Sequence, residues 1–60
     1  MKAIVYTLLG RDWILRESKI VSSRSEINKY CDKMSRKYSR SSSVLIEVYD
    51  GDQIIESNMM

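Results

Sequence analysis

The chain has 60 residues, with Lys+Arg 10, Asp+Glu 8, no His, no Pro, no Phe and a single Cys, and a formal net charge of +2. Such a length makes one small domain, residues 1–60, which buries only about 60% of the surface its unfolded chain exposes; ligand clefts of roughly 300–1,000 Å³ find few walls in so short a chain. One Cys forms no internal disulfide, and without His or a second thiol both a disulfide-stapled mini-protein and a structural zinc module are excluded.

Residues 2–9, rich in branched and apolar side chains, predict a first strand. Its apolar run, Ala3 to Leu9, is far shorter than the roughly 20 residues that span a bilayer, and no signal-peptide cleavage pattern follows it. The expectation is a reduced, cytoplasmic setting with no membrane partner, the host-cell cytoplasm if the protein is viral. Gly10-Arg11-Asp12 predicts a turn, and residues 13–21 a second strand, antiparallel to the first across that three-residue connection. Alternation places Trp13, Leu15 and Val21 on one side and Ile14, Arg16, Ser18 and Ile20 on the other.

Ser23-Arg24-Ser25-Glu26 has the form of a capping box. Behind it Ile27, Tyr30, Cys31, Met34 and Tyr38 recur at spacings of three and four, which predicts a helix over about 24–39 with those residues on one stripe. Lys29, Lys33, Arg36, Lys37 and Arg40 fall on the opposite, cationic face. Ser39 to Ser43 reads as a loop. Residues 44–49 predict a third strand, Asp50-Gly51 a type I′ turn, and residues 53–57 a fourth strand, with Asn58-Met59-Met60 as a frayed tail. In that register Val44, Ile46, Val48 and Ile55 share one face, and Leu45, Glu47, Tyr49, Ile54 and Glu56 the other.

The fold class is therefore α+β, β-β-α-β-β, with one antiparallel or mixed four-stranded sheet and a single helix packed on one face. The strand order stays open between two hairpins laid side by side and an interleaved order with the first and third strands adjacent and parallel. One helix covers one side of the sheet, and the other side still carries Leu45, Tyr49 and Ile54, plus whichever set from the first two strands faces outward. Small monomers seldom leave large apolar patches bare, so that side is expected to be a contact surface.

Catalysis finds little support. No His is present to serve as a general base near neutral pH. Cys31 sits on the apolar stripe, where a thiol behaves as a small hydrophobe. Asp50-Gly51-Asp52 lacks the further ligands of a calcium loop and is explained by turn chemistry. The chain is expected not to be an enzyme and to have no catalytic, cofactor or metal site. Charge is distributed unevenly: residues 22–43 carry six basic and two acidic side chains, and residues 44–60 four acidic and no basic ones. Such a dipolar molecule orients a charged partner. The candidate partner-contacting residues are Tyr49, Leu45 and Ile54, then Trp13, which otherwise closes one end of the core, and Lys33, Arg36 and Arg40 on the helix. The helix cations also allow a second reading, a small nucleic-acid-binding protein, and a third is a homodimer that pairs the two bare sheet faces or joins edge strands.

The Lys2-to-Leu9 strand, the Trp13 region, the Ser23-to-Tyr38 helix and the Val44-to-Tyr49 and Ile54-Ile55 hairpin around Asp50-Gly51 give the chain a layout that resembles the small early, anti-defence proteins of tailed phages. It is most similar to the Dmd-type antitoxins of T-even phages. That resemblance implies a non-enzymatic inhibitor that binds a host protein, an RNase toxin of the RnlA/LsoA class or another defence protein, and covers its functional cleft. No residue role is carried over from that family.

Overall fold

A computed structural model describes residues 1–59. Strands β1 (Lys2–Leu9) and β2 (Asp12–Ile20), helix α1 (Arg24–Lys37), and strands β3 (Val44–Asp50) and β4 (Gln53–Met59) follow in the order β-β-α-β-β. They form the expected four-stranded sheet with a single helix. The strand order is β2-β1-β3-β4, the interleaved one, but every neighbouring pair is antiparallel, β1 and β3 included. The helix carries the chain back to the end of the sheet where β2 began. So β3 runs parallel to β2 and antiparallel to the β1 strand between them.

Both hairpins close on two-residue turns that begin with glycine, Gly10-Arg11 and Gly51-Asp52. The glycine φ angles are 64° and 63°, and no other described residue has a positive φ. This is the II′ arrangement, with glycine at the first central position. It replaces both the three-residue first connection and the I′ turn expected at Asp50-Gly51. A Cβ at either glycine would meet nothing within 4 Å, so the backbone angle alone demands glycine there.

Each outer pairing shifts register once, between Val5 and Tyr6 against β2 and between Val48 and Tyr49 against β4. Arg16 and Ile55 are the residues left without a partner. An inserted residue inverts the facing of everything beyond it. Ser18 and Ile20 therefore join Trp13 and Leu15 rather than Ile14 and Arg16, while Val21 leaves the strand and is fully buried. In β4 Ile54 keeps its expected facing, but from the bulge onward the expectation fails: Ile55 is half exposed, and Glu56 lies on the helix side opposite Val48. β4 continues through Asn58 and Met59, so those two residues are strand rather than frayed tail; Met60 lies outside the described residues.

Helix α1 starts as the capping box requires, with the Ser23 hydroxyl accepting from the Glu26 N–H at 3.2 Å. Its reciprocal arm lands one residue earlier than the usual box, because Glu26 accepts from the Ser22 hydroxyl at 2.6 Å and the Ser22 N–H at 3.4 Å. The helix ends at Lys37, two residues short of the expected 39, where the Tyr38 N–H donates to Met34 O at 3.0 Å. Ile27, Tyr30 and Met34 from the helix pack with Ala3, Val5, Val44, Ile46 and Val48 from β1 and β3, joined by Val21 from the β2–α1 connection, with Cys31 and Tyr38 at the margin.

The helix thus rests on the two central strands. The outer strands reach it through polar side chains. Glu17 on β2 accepts from Lys37 Nζ at 2.7 Å, from the Tyr38 hydroxyl and, at 3.5 Å, from the Tyr30 hydroxyl. Lys37, expected on the solvent side of the helix, is therefore a tie to the sheet. Glu56 on β4 pairs with Arg24 at 2.6 Å at the other end of the helix. Arg16 donates from Nε to the buried Thr7 hydroxyl at 2.8 Å.

Two outcomes follow from this packing. Met34→Ala removes a fully buried side chain from the centre of the core, a change that costs about 2–5 kcal/mol. A domain this small holds about 3–5 kcal/mol in total, so urea titration should find the variant largely unfolded before denaturant is added. The Glu17 carboxyl is held below its ordinary value by hydrogen bonds from Lys37 and Tyr38, and that of Glu56 by its hydrogen bond from Arg24. Groups with depressed pKa values stabilise the fold above the unfolded value of 4.5 and lose that contribution as pH falls through the lower folded value. Thermal melting should therefore drop as the pH is lowered past this range, with a shallower drop in Glu17→Gln.

Candidate protein-binding face

The side of the sheet away from the helix is built by direct cross-strand neighbours. Running from β2 to β4, one row is Ile20, Lys2, Tyr49 and Ile54, and the next is Ser18, Ile4, Glu47 and Ser57. A third row is Leu15, Tyr6, Leu45 and Met59, and Trp13 with Leu8 close the far corner. Ten of these fourteen residues are apolar or aromatic, and Lys2 and Glu47 are the only charged ones. Exposure rises toward the edges: Leu15 is 61% exposed, Ile20 71% and Met59 67%, while Ile4, Tyr6, Leu45 and Tyr49 in the middle are half-buried.

The outer strands are patterned against the usual expectation for a sheet with one covered side, apolar toward the core and polar toward water. β2 presents Glu17 and Lys19 toward the helix, beside Ile14, and Trp13, Leu15 and Ile20 away from it. β4 presents Glu56 and Asn58 toward the helix, and Ile54 and Met59 away from it. The bulges at Arg16 and Ile55 bring this about, since each one switches the facing partway along an edge strand.

Tyr49 and Ile54 are direct cross-strand partners, and Leu45 lies on the same face of β3, four residues from Tyr49 and two rows away. Trp13 belongs to that face as well, at its far corner opposite Leu8 and 38% exposed; it does not close the core. The structure thus brings four of the sequence-derived candidates onto one surface. Lys33 and Arg36 are exposed on α1, in the layer opposite that face, with Arg36 paired with Asp32 at 3.1 Å one turn away, while Arg40, expected on the helix, falls in the turn beyond its end at Lys37. Ile4, Tyr6, Leu8, Leu15, Ile20 and Met59 complete the face; which set of the first two strands faces outward is left open by the sequence, and Met59 is missed because it is expected in a frayed tail. In β1 both alternating sets are apolar, so periodicity alone leaves its facing ambiguous, and the Arg16 bulge hides the facing of β2.

One polar contact lies on this surface. The Tyr49 hydroxyl donates to Glu47 Oε1 at 3.2 Å. Partial burial and the nearby carboxylate raise the phenol's pKa, so it stays a neutral donor. Glu47 is left with unused acceptor capacity among apolar neighbours, while Asp50 and Asp52 stand exposed at the adjoining hairpin tip. On the helix side, Tyr30 is pushed up to about 12 by burial and by Glu17.

The described residues form no pocket and no cluster of three or more metal-ligating side chains, and none of their helices is long and apolar enough to cross a membrane. Cys31 is half-buried, with the Asn58 amide 3.9 Å from its sulfur, and burial raises its pKa. Set against protein-family models, curated proteins and solved structures, the chain finds no match.

Because the reactive form of a thiol is the thiolate, Cys31 should be alkylated more slowly at neutral pH than a free cysteine. The rate should approach that of free cysteine in urea, as followed by mass spectrometry.

Proposed function

We propose that this chain is a non-enzymatic inhibitor that binds a host protein, a toxin or defence factor, and silences it by laying the outer sheet face over its functional surface. The observation that carries this reading is the inverted patterning of the edge strands. Both turn polar residues toward the helix and large apolar ones toward solvent. Water-exposed Leu15, Ile20, Ile54 and Met59 make sense on a surface that is covered when the protein works.

Charge narrows the chemistry of the partner. The β3–β4 half of the face carries Glu47 and is rimmed by Asp50 and Asp52, with no basic residue anywhere in residues 44–60. Its complement is an apolar patch bordered by lysine or arginine. A nuclease cleft, basic because its substrate is a polyanion, has that character. The resemblance to Dmd-type antitoxins leads to the same class of target. Inhibition by coverage needs no catalytic group. It needs an interface with a few well-packed aromatic anchors, and Tyr49 and Trp13 supply candidates. The helix surface is a weaker candidate, because Arg24, Arg36 and Lys37 are already engaged in ion pairs within the chain.

The test is affinity capture from nuclease-treated bacterial lysate, followed by reconstitution with the purified target. One protein should be retained near stoichiometrically and lose its activity on binding. In the reconstituted complex Tyr49→Ala should weaken affinity by about 2 kcal/mol, roughly 30-fold. Leu45→Ala and Trp13→Ala should follow, and charge reversal at Lys33, Arg36 and Arg40 should leave affinity unchanged. The reverse pattern, or capture abolished by nuclease, would transfer function to the helix and to nucleic acid.

A further inference from the structure

We propose that, when no target is bound, two copies of this chain pair outer sheet face to outer sheet face, forming a symmetric dimer with the helices on the outside. This shares with the proposed function only the surface it uses, and it stands or falls separately.

The first support is the size of the core. Nine apolar residues are buried between helix and sheet, and four of them are valine and one alanine. The outer face holds ten apolar or aromatic residues, among them the only tryptophan and two of the four tyrosines. The greater part of the chain's large apolar side chains therefore lies outside its core. Below about 70–80 residues a single core seldom supplies more than about 3–5 kcal/mol, and disulfides, a metal, oligomerisation or exceptional packing supplement it; a single Cys with no His offers neither a disulfide nor a zinc site. Pairing two outer faces makes a second core, sheet against sheet at the roughly 10 Å spacing of a β-sandwich.

The second support is area. The two longer extents of the molecule are 31 and 22 Å, which gives a face on the order of 700 Å² in projection, close to the about 800 Å² each partner contributes to a standard stable interface.

The third is charge. Lys2 and Glu47 are the only ionised side chains within the face, one of each sign, so two identical faces meet without the like-charge repulsion that would follow from pairing two basic helices. Edge-to-edge assembly is the competing route to a dimer, and both edge strands carry a bulge, a device that discourages added strands. A symmetric face-to-face contact is also closed, whereas a basic helix meeting the acidic hairpin of the next copy would propagate into fibres.

Sedimentation equilibrium over a concentration series tests the proposal, with the fluorescence of Trp13 as a second readout. The expected mass is twice the 7.0 kDa of the monomer, and dilution to the monomer should shift Trp13 emission to the red as water reaches its ring. Leu15→Glu is the decisive variant. That side chain is 61% exposed in the single chain, so glutamate there leaves the monomer fold intact, which circular dichroism checks, yet would be buried in the dimer. It should weaken self-association at least 30-fold, while Lys33→Glu on the helix leaves it unchanged. A monomer mass at every concentration would overturn the proposal, and so would a dimer indifferent to Leu15→Glu or one lost with Lys33→Glu. A monomeric chain that still inhibits its target would remove self-pairing and leave the target reading in place. A dimer abolished by Leu15→Glu supports self-pairing whether or not a target is found.

Discussion

The structure follows from one geometric shortage: a single helix is too narrow for a four-stranded sheet. Strands lie about 4.8 Å apart, so four of them span more than the roughly 10–12 Å width of a helix. The buried sheet residues Ala3, Val5, Val44, Ile46 and Val48 all come from the two central strands. The outer strands sit beside the helix rather than beneath it, where apolar side chains would gain little. There the chain places Glu17 and Glu56, and each reaches up to a cation on the helix, Lys37 at one end and Arg24 at the other. These pairs are partly exposed and individually worth little. Their effect is to fix the orientation of the helix at diagonal corners, together with the two tyrosine hydroxyls that share Glu17.

The same shortage accounts for the bulges. A strict alternation running from Ile14 to Ile20 would turn Ser18 and Ile20 toward the helix, and Glu17 and Lys19 away from it. One extra residue at Arg16 reverses that, delivering Glu17 to Tyr30 and Tyr38, and Ile20 to the outer face. In β4 the insertion at Ile55 delivers Glu56 to Arg24 and Asn58 to the neighbourhood of Cys31. Arg16 itself is used as well, since its guanidinium satisfies Thr7, the one buried polar side chain among the described residues.

Fold class, element order and the central strands were legible in the sequence for identifiable reasons. The helix announced itself through Ser23 and Glu26 and through a stripe of residues three and four apart. The hairpins announced themselves through glycine next to a charged residue. Leu45, Tyr49 and Ile54 could be placed on the uncovered side by alternation, although the I′ turn expected at Asp50-Gly51 pairs Glu47 with Ile54, where the turn at Gly51-Asp52 pairs Tyr49 with it; the two-residue offset keeps the same face. The edge strands were not legible. A bulge leaves no signature when the extra residue is an arginine or an isoleucine rather than a glycine, and once it is missed every later side chain in the strand is assigned to the wrong face. Strand order was hidden for another reason: it depends on which side of the first hairpin the helix crosses, and nothing local in Ser22 to Ser43 encodes that.

The apolar outer face and the marginal core are two aspects of one design. Any partner that covers the face also completes the burial the helix leaves unfinished, so binding and stability are linked by mass action. On the proposed reading this gives self-pairing and target binding a common currency. A copy held in a dimer must release its twin before it can cover a target, and its apparent affinity is reduced by the fraction of chain that is free. The discriminating elements then lie where the two partners differ. A second copy offers an uncharged-on-balance apolar surface, while a cationic target can satisfy Glu47, Asp50 and Asp52. Tyr49 bridges the two regimes: its ring belongs to the apolar face and its hydroxyl to Glu47. The acidic rim around a neutral apolar field would thus select the target over the twin through electrostatic complementarity, with the hydrophobic contribution common to both.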